Sequence, residues 1–111
     1  MTIKELINAN IFNTLKEGSD LNREISGLFN CDLLSIAMSK APTDCAWVTV
    51  MGNINTLAVA TLADVSCVIL AEGVFFDDAA TIRLDATDIT VFTTEMPVFE
   101  ASLKVYEMIN A

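Results

Sequence analysis

The chain has 111 residues, with 15 acidic against 6 basic side chains and no histidine, for a formal net charge of −9. That length fits a single domain, 1–111, able to bury a core without a disulfide or metal staple. The charge disfavours nucleic acid and anionic membrane as partners, and the missing histidine removes Ser-His-Asp and Cys-His catalysis along with the commonest metal ligand.

Thr2-Ile3-Lys4-Glu5 opens the chain as a capping box, hydroxyl at the cap and carboxylate three residues on. It reads as the start of a short helix running to Asn8 rather than as an apolar leader. Ile11, Phe12 and Leu15 predict a strand that ends at the turn Glu17-Gly18-Ser19-Asp20. Residues 21–26 read as extended, with Leu21, Arg23 and Ile25 on one face and Asn22, Glu24 and Ser26 on the other. Asp32 or Asn30 is expected to cap a helix over 33–40, stopped by Pro42.

The rest alternates strand and helix. Strands are predicted over 46–51, 67–71 and 89–92, and helices over 54–63, 79–86 and 95–109. The Gly52-Asn53 turn leads into the first of these helices, Asp77 and Asp78 open the second, and Thr94 caps the third, with Pro97 in its first turn. The last helix is amphipathic: Val98, Phe99, Ser102, Val105, Tyr106 and Ile109 share one face, and Glu100, Lys104 and Glu107 lie on the other. Short, continuously apolar strands alternating with helices predict an α/β fold: a small, largely parallel sheet with flanking helices.

The composition is 53% apolar and the mean hydropathy is +0.52. Such values suit a sheet buried on both faces, or a surface that closes on a partner. The stretch 54–71 is apolar enough to raise a membrane span, but Asp64 in its middle is costly in lipid, and the stretch divides into a helix and a strand. Cys31, Cys45 and Cys67 are odd in number and lack C-x-x-C spacing. They read as small buried hydrophobes in a reduced, cytoplasmic protein, with no metal site and no cofactor.

In open parallel sheets, ligands bind beyond the carboxyl ends of the strands. Those ends here are Met51-Gly52-Asn53, Glu72-Gly73 and Thr93-Thr94. Gly52 and Asn53 are therefore binding candidates, weighed against ordinary turn roles. Neither a phosphate loop nor G-x-G-x-x-G is present. Trp47 is expected in the core with its N–H on a carbonyl. Phe75 and Phe76 are adjacent aromatics in a connecting segment that cannot both enter one core, so one is expected at the surface as a subunit contact. Arg23 has two readings. One is a surface pair with Glu24 or a neighbour across the strand. The other is a partly buried guanidinium that fixes Ser26-Gly27 or binds a carboxylate or phosphate.

Around Arg23 the chain resembles the DRTGG domain family. The matching portion is Asn22-Arg23-Glu24-Ile25-Ser26-Gly27-Leu28, followed by Cys31-Asp32-Leu33-Leu34-Ser35. The order helix, two strands, helix, then three strand–helix units resembles the family over most of the chain. Arg23 and Gly27 stand as in the motif, whereas Asn22 replaces its Asp, Ser26 its Thr and Leu28 its second Gly. Such domains accompany larger proteins, including some phosphotransacetylases and nucleotide-regulated pyrophosphatases. They are similar in fold to the N-terminal domain of HPr kinase/phosphorylase. The resemblance implies a non-catalytic, regulatory or oligomerising role.

Two expectations follow. The first is a non-enzymatic regulatory or assembly module, a homodimer or the partner of a separate enzyme, joined through Phe75, Phe76 or apolar residues of the last helix. The second is a sensor of an anionic metabolite or nucleotide, held by Arg23, Ser26, Gly27 and the Gly52-Asn53 turn.

Overall fold

The computed structural model describes residues 1–111 as five helices around one five-stranded sheet. In chain order these are α1 (Ile3–Asn8), β1 (Asn13–Lys16), β2 (Gly27–Asn30), α2 (Leu34–Lys40), β3 (Cys45–Thr49), α3 (Ile54–Ala63), β4 (Cys67–Leu70), α4 (Asp78–Arg83), β5 (Thr90–Thr93) and α5 (Val98–Ile109). A single 3-10 turn, Leu84–Ala86, extends α4. No helix is long and apolar enough to cross a membrane.

The sheet order is β1-β5-β4-β3-β2. β2 through β5 are parallel, and β1 pairs antiparallel with β5. From β2 to β5 the chain steps one place in the same direction each time. Crossovers of a single hand then put α2, α3 and α4 on one face of the sheet. α1 and α5 cover the other.

Each face has its own core. Ala46, Val48, Cys67, Ile69 and Phe92 pack under Ile3 and Leu6 of α1 and under Ala101 and Val105 of α5. On the reverse face Cys45, Trp47 and Val68 meet Ala37, Val59 and Ala60, while Leu70 and Val91 meet Leu57, Phe76, Ala80 and Leu84. Burial on both faces explains why the three central strands are apolar without alternation. The Trp47 indole N–H donates to the Cys31 carbonyl at 3.0 Å, as expected.

Several boundaries differ from the sequence reading. The extended stretch expected over 21–26 is a turn and a connection, and the strand lies just after it, at Gly27–Asn30. Asp32 does not cap α2. Its carboxylate accepts from the Thr49 hydroxyl at 2.8 Å and the Val50 N–H at 2.9 Å, and Leu33 occupies the cap position without a side-chain bond. Asn30 ends β2 and accepts from the Ser102 hydroxyl at 2.9 Å.

α5 starts at Val98 with Pro97 at its cap, because Thr94 and Met96 hold a turn of their own and the Glu72 carboxylate accepts from the Val98 N–H at 2.8 Å. Its buried residues are Ala101, Ser102 and Val105. Phe99 and Tyr106, on the edge of the helix's apolar face, are 72% and 58% exposed.

Candidate functional site

Residues 17–26 carry the chain from β1, at one edge of the sheet, to β2, at the other. Because β1 is antiparallel, this segment crosses beneath the amino ends of β5, β4 and β3. It is pinned at each. At β5 the Gly18 N–H donates to the Thr90 hydroxyl at 3.0 Å and the Ser19 N–H to the Asp88 carbonyl at 3.1 Å. At β4 the Ser66 hydroxyl makes a short bond to the Glu24 carbonyl. At β3 the Ser26 N–H donates to the Asp44 carbonyl at 2.9 Å, and the Ser26 hydroxyl to the Thr43 carbonyl at 3.0 Å. α1 docks on the same segment through the Ile3 and Lys4 amides, which donate to the carbonyls of Arg23 and Leu21.

Arg23 sits at the centre of this crossing. Its Nε donates to Asp44 Oδ1 at 2.8 Å, and its Nη2 donates to the Asp64 carbonyl at 2.6 Å and to Asp64 Oδ1 at 3.0 Å. Asp44 and Asp64 both hold left-handed backbone, at φ 66° and 58°, where the chain turns into β3 and β4. The Asp44 N–H also donates to the Asp64 carbonyl at 2.9 Å. Partial burial would lower the basicity of the guanidinium, but the hydrogen bonds to Asp44 and Asp64 outweigh it and hold Arg23 above its usual value. The partly buried reading therefore describes Arg23 better than the pair with Glu24. The carboxylates it binds belong to the chain itself.

Ser26 is spent on main chain. Gly27 lies at the amino end of β2, opposite Cys45, with open space where a side chain would stand. Gly52 and Asn53 follow β3 and so lie at its other end, on the order of 15 Å away along the strand. The structure does not bring these five residues into one site. Nor is the Gly52 turn free. A Cβ there would stand 2.3 Å from the Phe75 carbonyl oxygen, and the Gly52 carbonyl accepts from the Asp77 N–H at 2.8 Å. Asn53 caps α3, its side chain accepting from the Asn55 and Thr56 amides, which an anion would have to displace.

Of the adjacent aromatics, Phe75 is 77% exposed and Phe76 is buried among Leu57, Leu70, Ala80 and Leu84. Phe76 is a core residue, so only Phe75 offers a contact surface.

A groove of about 540 Å³ opens between α3 and the 83–90 segment. Ile54, Leu57 and Leu62 form its apolar wall, and Arg83 lines it without an ion-pair partner.

Two further surface features stand out, of which the sequence reading anticipates the first only as apolar residues of the last helix. Phe99, Leu103 and Tyr106 form an exposed apolar stripe along one flank of α5. Beside it, β2 is an open sheet edge whose four residues, Gly27-Leu28-Phe29-Asn30, carry neither charge nor proline. The spacing 99, 103, 106 was visible in the sequence, but which flank of the helix faces the sheet was not.

No family model matches the sequence, and a search of curated proteins found no match.

Proposed function

We propose that this chain is a DRTGG-like domain acting as a non-catalytic assembly module, cytoplasmic and self-associating, with a separate enzyme as a further partner. The observation that carries the reading is the α5 stripe: three large apolar side chains held in water on one helix flank, while the charged residues Glu100, Lys104 and Glu107 lie on another. Supporting it, the one conspicuous cation of the motif is committed to Asp44 and Asp64, so the segment serves to hold the fold together. The test is sedimentation equilibrium of the wild type and of Phe99→Glu/Tyr106→Glu. A concentration-dependent dimer that the double variant abolishes supports the reading, and a wild type that stays monomeric removes it.

A second reading, a small-molecule sensor, rests on the groove beside α3. An anionic metabolite or nucleotide would meet Arg83 there, which holds no ion pair, beside Arg23, whose Nε and Nη2 already hold Asp44 and Asp64. Native mass spectrometry of protein purified from its own source tests this: a retained small molecule lost from Arg83→Ala favours it.

A further inference from the structure

Granting the self-association just proposed, we infer that two copies of this chain join through the open edge of β2, antiparallel about a two-fold axis beside Leu28. Two five-stranded sheets then become one continuous sheet.

The two edges of the sheet are unlike. β1 carries Lys16 and a register irregularity between Thr14 and Lys16, both of which discourage strand addition. β2 has no such protection. In the register that sets Leu28 beside Ala46 and Asn30 beside Val48, the Cys31 N–H donates to the Val48 carbonyl of β3. By the two-residue period of the ladder, Gly27 and Phe29 also turn their N–H and C=O groups to β3, and Leu28 and Asn30 turn theirs outward. Pairing Leu28 with Leu28 of a second copy satisfies its N–H and C=O on both copies. The two Leu28 residues then form a hydrogen-bonded pair, with Cα atoms about 5.5 Å apart.

The helices fit this register. A two-fold axis normal to the sheet brings like faces together, so α5 lies beside α5 of the copy. α5 sits over β2 and β3. With strands ~4.8 Å apart, its axis is roughly 5 Å from the dyad. The two helices are therefore about 10 Å apart, at the upper end of the usual packing range. The bond from Ser102 to Asn30 shows which flank of α5 leans to the β2 edge, and Phe99 and Tyr106 share that flank. On the reverse face, Leu33 and Ile36 of the α2 region are also exposed.

Charge selects the same place. Two chains of net charge −9 repel over most of their surfaces, so contact is favoured where charge is absent. Covering Phe99 and Tyr106 on both copies removes on the order of 500 Å². Leu103, Leu28, Phe29 and the strand edges add to this, toward the ~1,200 Å² at which stable interfaces begin. An extended peptide from another protein could pair with β2 but would leave the α5 stripe in water. A second copy covers both.

The test uses the full chain. Leu28→Cys in a Cys31→Ser background places one thiol beside its own copy at the dyad, and mild oxidation should yield a covalent dimer on a non-reducing gel. Gly27→Lys puts a charge on the edge where a side chain meets nothing within the monomer, so the fold should be kept while the dimer dissociation constant rises at least about tenfold. A dimer that shows both effects supports the inference. A dimer that neither cross-links through the Leu28→Cys thiol nor weakens with Gly27→Lys overturns the edge geometry but leaves self-association standing. A wild-type chain that is monomeric by sedimentation overturns both, as does one that forms only mixed complexes with an extended peptide on β2.

Discussion

Arg23 and Asp64 meet twice: one guanidinium nitrogen donates to both the carboxylate and the main-chain carbonyl of Asp64. With Asp44 on its Nε, Arg23 ties together two left-handed turns that launch neighbouring strands. Arg23→Ala leaves the Asp64 carbonyl with only the Asp44 amide and sets two carboxylates side by side without a cation. Both aspartates are well exposed, which discounts the ion pairing. The expected cost is about 1–2 kcal/mol, read as a loss of roughly 5–10 °C in Tm. Arg23→Lys should recover only part of it, because an ammonium cannot reproduce the planar fork.

Two glycines bracketing the same segment should behave oppositely. A Cβ on Gly18 would stand 2.1 Å from the Asp88 carbonyl oxygen, a main-chain atom that cannot swing aside. Gly18→Ala should cost about 1–3 kcal/mol or more. A Cβ on Gly27 meets nothing within 4 Å, and its φ is not in the left-handed region. Gly27→Ala should leave the urea midpoint of the monomer within about 0.5 kcal/mol of wild type. Equal effects at the two positions would contradict this placement of the segment.

Most of the sheet could be read from the chain because its determinants are local. The apolar run at 67–70, the β-branched and aromatic run at 90–93, the Asn53 and Asp77 caps and the Thr2/Glu5 box each act within a few residues. What could not be read depends on distant partners. Arg23 finds its acceptors 21 and 41 residues away. Residues 21–26 mimic a strand by alternation, yet their main-chain groups go to α1 and to Asp44 instead of a ladder. The α5 start was misplaced because its first amide is capped by Glu72, 26 residues back, which no local pattern announces. The candidate binding set failed for the same reason: Gly27 and Gly52 belong to opposite ends of one strand pair, which emerges only once β2 is known to pair with β3.

Phe75 and Phe76 offer a direct contrast between surface and core. Phe76→Ala empties a site among Leu57, Leu70 and Leu84 and should cost about 3 kcal/mol. Phe75→Ala should change stability by less than about 0.5 kcal/mol. Sedimentation of the Phe75 variant also separates interfaces. An unchanged dimer agrees with the β2 edge, whereas a weakened one moves the contact to the carboxyl end of the sheet.

The thiols predict an alkaline limit to stability. Burial pushes Cys45 up to about 11 from its ordinary 9.0. Burial pushes Cys67 further in the same direction, with the neighbouring Cys45 adding to it. In the unfolded chain both thiols ionise near pH 9, while the folded chain keeps them protonated. Between pH 9 and 11 the unfolded state therefore holds fewer protons than the native state, and the free energy of unfolding falls as pH rises. Below pH 9 both states are protonated and this contribution is fully present. Urea midpoints measured from about pH 7 to about pH 10.5 should decline above pH 9 in the wild type and decline less in Cys45→Ala/Cys67→Ala. The same burial governs thiol labelling. At about pH 8 the native protein should react rapidly with a thiol reagent at Cys31 alone, the one cysteine that is not buried, and at all three after denaturation. Rapid native labelling of Cys45 or Cys67 would show that the core opens far more readily than its packing implies.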